Sequence, residues 1–125
     1  MRRIQAALLV VVGLASGMAT ASSYATPKGC LHGPEMTAEQ RARRSALVGL
    51  ARDINNQQVK ATKQSKSYSA LEGLTLTGPV PDGVQIKLAA DAKGYSFSIV
   101  DETDECRSGV FSNESGLIYT GQALQ

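Results

Sequence analysis

The sequence has one histidine, two cysteines and no tryptophan in 125 residues. Any His-dependent triad would have to use His32, which sits beside Gly33-Pro34 in a stretch rich in turn residues. There is no phosphate-cradling glycine loop, no Cys-x-x-Cys, no Ser-x-x-Lys and no Gly-x-Ser-x-Gly, so no motif assigns catalysis or a cofactor. A basic surplus is also missing. The formal charge is +2, but Arg2 and Arg3 supply that difference, and from Ser22 onward positive and negative side chains balance. Balance removes the counterion-release argument for nucleic acid as a partner. Beyond the first residues, no apolar run approaches the roughly 20 residues of a spanning helix. Repeats and low-complexity tracts are absent, and the length suits one domain with one small core.

What is present begins with an address. Arg2 and Arg3 form a basic start, Ala6 to Ala15 an apolar stretch, and Ala19-Thr20-Ala21 a small-x-small site. Together they predict a signal peptide over residues 1–21 and a periplasmic or secreted chain. Cleavage after Ala21 is the first expectation and after Ala25 the second. Membrane contact is expected only if the leader stays attached. Pro27-Lys28-Gly29-Cys30 does not match a lipobox, so lipidation at Cys30 is not expected. In an oxidising compartment an even cysteine count predicts a Cys30 to Cys106 disulfide, worth about 4 kcal/mol for so long a loop.

Residues 22–36 read as an irregular arm and 37–125 as the domain. Thr37 can cap a helix with Gln40 as return partner, and Glu39 suits the positive end of the helix dipole. Leu47, Leu50, Ala51, Ile54, Gln58 and Ala61 then recur at spacings of three and four, which gathers them on one stripe facing a core. Gly49 marks close packing or a slight bend. A helix to about Ser65 follows, then a short turn holding Leu71 and Leu74 against the core, and an edge strand at Thr75 to Thr77. Gly78-Pro79-Val80-Pro81-Asp82-Gly83 is a turn.

The period changes to two after this turn. Val84, Ile86, Leu88 and Ala90 form one half-buried strand, and Tyr95, Phe97 and Ile99 the next, across Asp91-Ala92-Lys93-Gly94. Arg107 to Phe111 and Leu117 to Thr120 close a last hairpin across Ser112 to Gly116. The predicted fold class is α+β: one long amphipathic helix on a four-stranded antiparallel meander, with one disulfide.

Candidate sites are few. Arg41, Arg44, Arg52, Lys63 and Lys66, with Val48 and Val59 among them, collect on a second helix face. That face is either a contact for an acidic protein or anionic lipid head group, or a solvated surface balanced by the acidic loop. This loop offers Asp101, Glu102, Asp104 and Glu105 as a second candidate partner contact. It lacks the ligand order of an EF-hand. Four acids in five exposed residues predict a hydrated loop with ordinary pKa values rather than a glycosidase pair. Cys30, His32 and Glu35 match no established metal spacing, so no metal is expected. Asn113-Glu114-Ser115 has the form of a glycosylation sequon, and a hairpin turn accounts for it.

Two stretches carry a resemblance. Ala46 through Gln58, with Tyr68 and Leu71 after it, and Tyr95-Ser96-Phe97 through the ending Phe111-Ser112-Asn113-Glu114-Ser115-Gly116-Leu117-Ile118-Tyr119 resemble the helix and last strands of bacterial type IV pilin-like proteins. The chain departs from that pattern in having no Gly-ended leader with Glu at the fifth following position and no apolar stalk. The resemblance therefore implies a soluble, exported pilin-like head. It points to a non-enzymatic interaction or accessory protein of the bacterial envelope with a protein partner and no cofactor. The alternative is a small secreted inhibitor or effector that binds another protein.

Overall fold

The computed structural model describes residues 36–123. The expected signal peptide, the expected arm up to residue 35 with Cys30, His32 and Glu35, and therefore the Cys30 end of the expected bridge to Cys106, lie outside the described residues. Within the described chain a helix α1 (Ala38–Ser65) precedes a 3₁₀ turn (Leu71–Gly73) and four strands, β1 (Val84–Ala90), β2 (Tyr95–Asp101), β3 (Ser108–Asn113) and β4 (Tyr119–Gln122). The strands lie in sequence order as an antiparallel meander. One helix on a four-stranded antiparallel sheet is the predicted architecture.

The capping box forms as its residues predict: the Gln40 amide donates to Thr37 Oγ1 at 3.1 Å and the Thr37 amide to Gln40 Oε1 at 2.8 Å. The helix stops where Lys66 turns left-handed, at φ 61°, and its amide closes on Thr62 O. Between these ends Leu47, Leu50, Ala51 and Ile54 are buried against Tyr95, Phe97, Ile99 and Val110. The aromatic rings extend that core, with Tyr68 tilted on Tyr95 at 4.9 Å and Tyr95 stacked on Phe97 at 6.2 Å. Gln58 is fully buried, yet its amide is satisfied, because it donates to Ser69 O at 2.7 Å and accepts from the Ser69 amide at 2.9 Å. The loop after α1 is thereby tied back onto the helix. No helix among the described residues is long and apolar enough to cross a membrane.

A second buried polar group sets the far hairpin. Asn55 Oδ1 accepts from Tyr95 Oη at 2.8 Å, and Asn55 Nδ2 donates to Ser112 Oγ at 3.0 Å and Gly116 O at 3.3 Å. Ser112 Oγ in turn donates to Leu117 O at 2.7 Å. Helix, β2, β3 and the β3–β4 turn thus meet at one satisfied cluster, which holds the turn in a single position.

Several expectations are corrected. Thr75 to Thr77 is not a strand: the Thr77 amide is taken by Asp53 Oδ2 from the helix, while Leu74 and Leu76 pack on the core. Gly49 does not mark close packing. It is exposed, and an added Cβ would meet nothing within 4 Å. β4 starts at Tyr119 rather than Leu117, because the Asn55 cluster holds Gly116 and Leu117 in the turn. Finally, β2 runs on to Asp101, which moves that residue out of the acidic loop and into the sheet.

Candidate interaction surface

Asp101 shares the helix-facing side of β2 with Tyr95, Phe97 and Ile99, since side chains alternate along a strand. It is 3% exposed. Burying a carboxylate there requires a partner, and Arg43 provides one. Arg43 Nε donates to Asp101 Oδ2 at 2.7 Å and Nη2 to Oδ1 at 2.9 Å, while the Thr103 amide and hydroxyl donate to Oδ1 at 3.0 and 2.6 Å. The hydrogen bonds from Arg43, seconded by those from Thr103, outweigh desolvation and hold Asp101 at about 2. The expectation of a hydrated loop with ordinary pKa values is therefore corrected at Asp101, which is buried and held well below the usual carboxylate range.

The other acids divide. Asp104 turns inward and accepts from the Cys106 and Ser108 amides at 3.0 and 3.3 Å, and from Ser108 Oγ. Glu102 pairs with Arg107 at 3.1 Å. Glu105 points outward and is exposed. Half-buried Cys106 sits beside these groups and is not a free thiol. Thr37, Glu39, Arg43, Asp104 and Cys106 line a cleft of about 430 Å³ there among the described residues. Its two most inward carboxylates, Asp101 and Asp104, are already committed to internal donors, which leaves the cleft little charge to offer a ligand.

Arg43 was missing from the expected sites, although a signal existed. Arg43, Leu47, Leu50 and Ile54 follow at spacings of four, three and four, so the arginine extends the apolar stripe. A charge on a core-facing stripe needs a partner across the interface.

The expected basic face is present and differs from the acidic loop in one respect. Arg41, Arg44, Arg52, Lys63 and Lys66 have no carboxylate partner among the described residues, since the ion pairs there are Arg43 with Asp101 and Arg107 with Glu102. No ion pair joins the acidic loop to this face among the described residues, since Asp101 and Glu102 pair with Arg43 and Arg107. The two acids of α1 lie elsewhere on it: Glu39 lines the cleft near Arg43, and Asp53 accepts from the Thr77 amide. Burial raises the Asp53 pKa, but the Thr77 and Gln57 hydrogen bonds outweigh it and the net shift is downward. Of the five cations, Arg41 donates to Met36 O at 2.6 Å and Arg44 donates to Thr120 Oγ1 at 2.9 Å, while Arg52, Lys63 and Lys66 extend into solvent. Val48 is partly buried against the core and Val59 is 50% exposed among them.

Arg44's contact with Thr120 places this face on the β4 side of the helix. β4 is exposed throughout and has no neighbour on its outer side among the described residues. Leu117 and Tyr119, 58% and 57% exposed, flank its start. Cations without a carboxylate partner and a strand edge without a neighbour, both among the described residues, are together with scattered apolar side chains elements of a binding surface. No group of three or more potential metal ligands occurs among the described residues. No family model, curated protein or solved structure matches the chain, so the reading rests on this geometry and on the resemblance.

Proposed function

We propose that the chain is an exported, non-enzymatic, pilin-like interaction or accessory protein of the bacterial envelope, stapled by a Cys30 to Cys106 disulfide. The single observation that carries the interaction reading is the basic face of α1, whose cations have no carboxylate partner and lie beside a strand edge without a neighbour among the described residues. The helix-plus-meander layout agrees with what the pilin-like resemblance implies. The alternative, an inhibitor acting through Asp101 to Glu105, has less support, because Asp101, Asp104 and Glu102 are spent on internal contacts.

Cross-linking in the native organism followed by purification tests the reading. Recovery with a pilus, secretion or other envelope component is expected, and reproducible recovery without any would refute it. Intact mass under non-reducing conditions checks the address and the staple together: the expected species lacks residues 1–21 and two hydrogens.

A further inference from the structure

We propose that the basic flank of α1 and the open edge of β4 form one groove, and that its occupant is an acidic, extended segment of a partner protein that adds to β4 as a fifth strand. This rests on the interaction reading above and specifies the class of partner. Two contacts set the geometry. Arg44 Nη2 reaches Thr120 Oγ1, and farther along the helix Asn55 Nδ2 reaches Gly116 O. The helix rises about 16 Å between those two residues, while the chain that receives them passes from the β3–β4 turn at Gly116 into β4 at Thr120. α1, which packs over β3 and β2, therefore runs in the direction opposite to β4 and reaches that strand through Arg44.

Arg41, Arg44, Val48 and Arg52 follow one another at spacings of three and four on the flank that Arg44 turns toward β4. An edge strand directs every second peptide group away from its neighbour, so β4 offers free N–H and C=O groups outward. A strand added about 4.8 Å beyond β4 would lie on the side of α1 from which Arg44 reaches Thr120, with side chains on that face recurring roughly every 6.8 Å. Arg44 and Arg52 are about 12 Å apart along the helix, with Val48 midway. A segment with the pattern acid, any, apolar, any, acid spaces its carboxylates roughly 13 Å apart and matches these three positions.

Charge determines the sign of the partner, and the strand edge determines its class. Anionic head groups would satisfy the cations but leave the edge groups to water. An extended polypeptide satisfies both, as in other strand-addition complexes.

The test measures binding of a fluorescent peptide containing Asp-Thr-Val-Thr-Asp to the chain purified from its native host. Three comparators are used: the same peptide N-methylated at alternate peptide groups, a scrambled peptide with adjacent Asp residues, and phosphatidylglycerol vesicles. Arg52→Glu is expected to weaken binding by at least about fivefold, whereas Lys93→Glu in the β1–β2 hairpin changes it less than about twofold. N-methylation is expected to abolish binding. Equal binding of the N-methylated or scrambled peptide, insensitivity to Arg52→Glu, absence of peptide binding, or Arg52-dependent binding of vesicles alone would each overturn the proposal. Cross-linking the Arg52→Glu chain in the native organism separates this failure from failure of the interaction reading. Undiminished recovery of an envelope partner refutes the groove and leaves the broader reading standing, and recovery of none from either chain refutes both.

Discussion

Asp101→Asn isolates the ion pair that fastens α1 to the end of β2. Asparagine keeps the shape but loses the charge, and it turns an amide toward donors that Arg43 and Thr103 aim at both carboxylate oxygens. In the folded chain Asp101 titrates at about 2, against an ordinary aspartate value near 3.9 in the unfolded chain. A carboxylate with a depressed folded pKa stabilises the fold above its unfolded pKa, and that stability disappears as pH falls through the folded value. At 1.36 kcal/mol per unit the contribution at neutral pH is about 2.5 kcal/mol, equivalent to roughly 10 to 20 °C in Tm for a domain of this size. Urea unfolding followed by circular dichroism at pH 7 and at steps down to pH ~2 measures it. The variant should be about 2.5 kcal/mol less stable at pH 7, and the gap should close as the wild-type carboxylate gains its proton. Other carboxylates titrate alike in both proteins and cancel in the difference. A gap below about 0.5 kcal/mol at pH 7, or one that persists unchanged into acid, would refute the reasoning, because then Arg43 does not act through the charge on Asp101.

Three further outcomes follow from the packing. Gly49→Ala should raise unfolding stability by about 0.5 to 1 kcal/mol in the same urea assay, since the methyl group meets nothing and the helix gains a better helix former. Ile54→Ala removes a side chain that is fully buried at the centre of the α1 stripe, and a loss of about 2 to 5 kcal/mol is expected from the transfer and cavity terms. Asn55→Ala leaves Tyr95 Oη without its acceptor and Gly116 O without its donor; a cost of about 2 to 3 kcal/mol is expected. Amide exchange should speed up at Gly116 to Ile118 more than at the β1–β2 hairpin.

The sequence by itself determined the elements whose cause is local. Thr37 and Gln40 start the helix through bonds three residues apart, the three-four spacing of Leu47, Leu50 and Ile54 selects its buried face, and the alternation from Val84 and Tyr95 onward specifies strands. The basic face was legible for the same reason, because helical periodicity alone brings Arg41, Arg44, Arg52, Lys63 and Lys66 to one side.

Only the tertiary structure decided what depends on residues distant along the chain. Asp101 reads as one of four loop acids until the fold brings Arg43 to within 2.7 Å, and Thr77 reads as part of a strand until Asp53 takes its amide. Asn55, unremarkable on a helix of mixed polarity, becomes the junction of two strands and a turn. The alignment of α1 with the edge of β4 likewise depends on Arg44 meeting Thr120 across the fold. Such long-range pairs leave no periodic trace, because the energy that selects them is desolvation of one particular polar group, satisfied by whichever donor the fold brings into range.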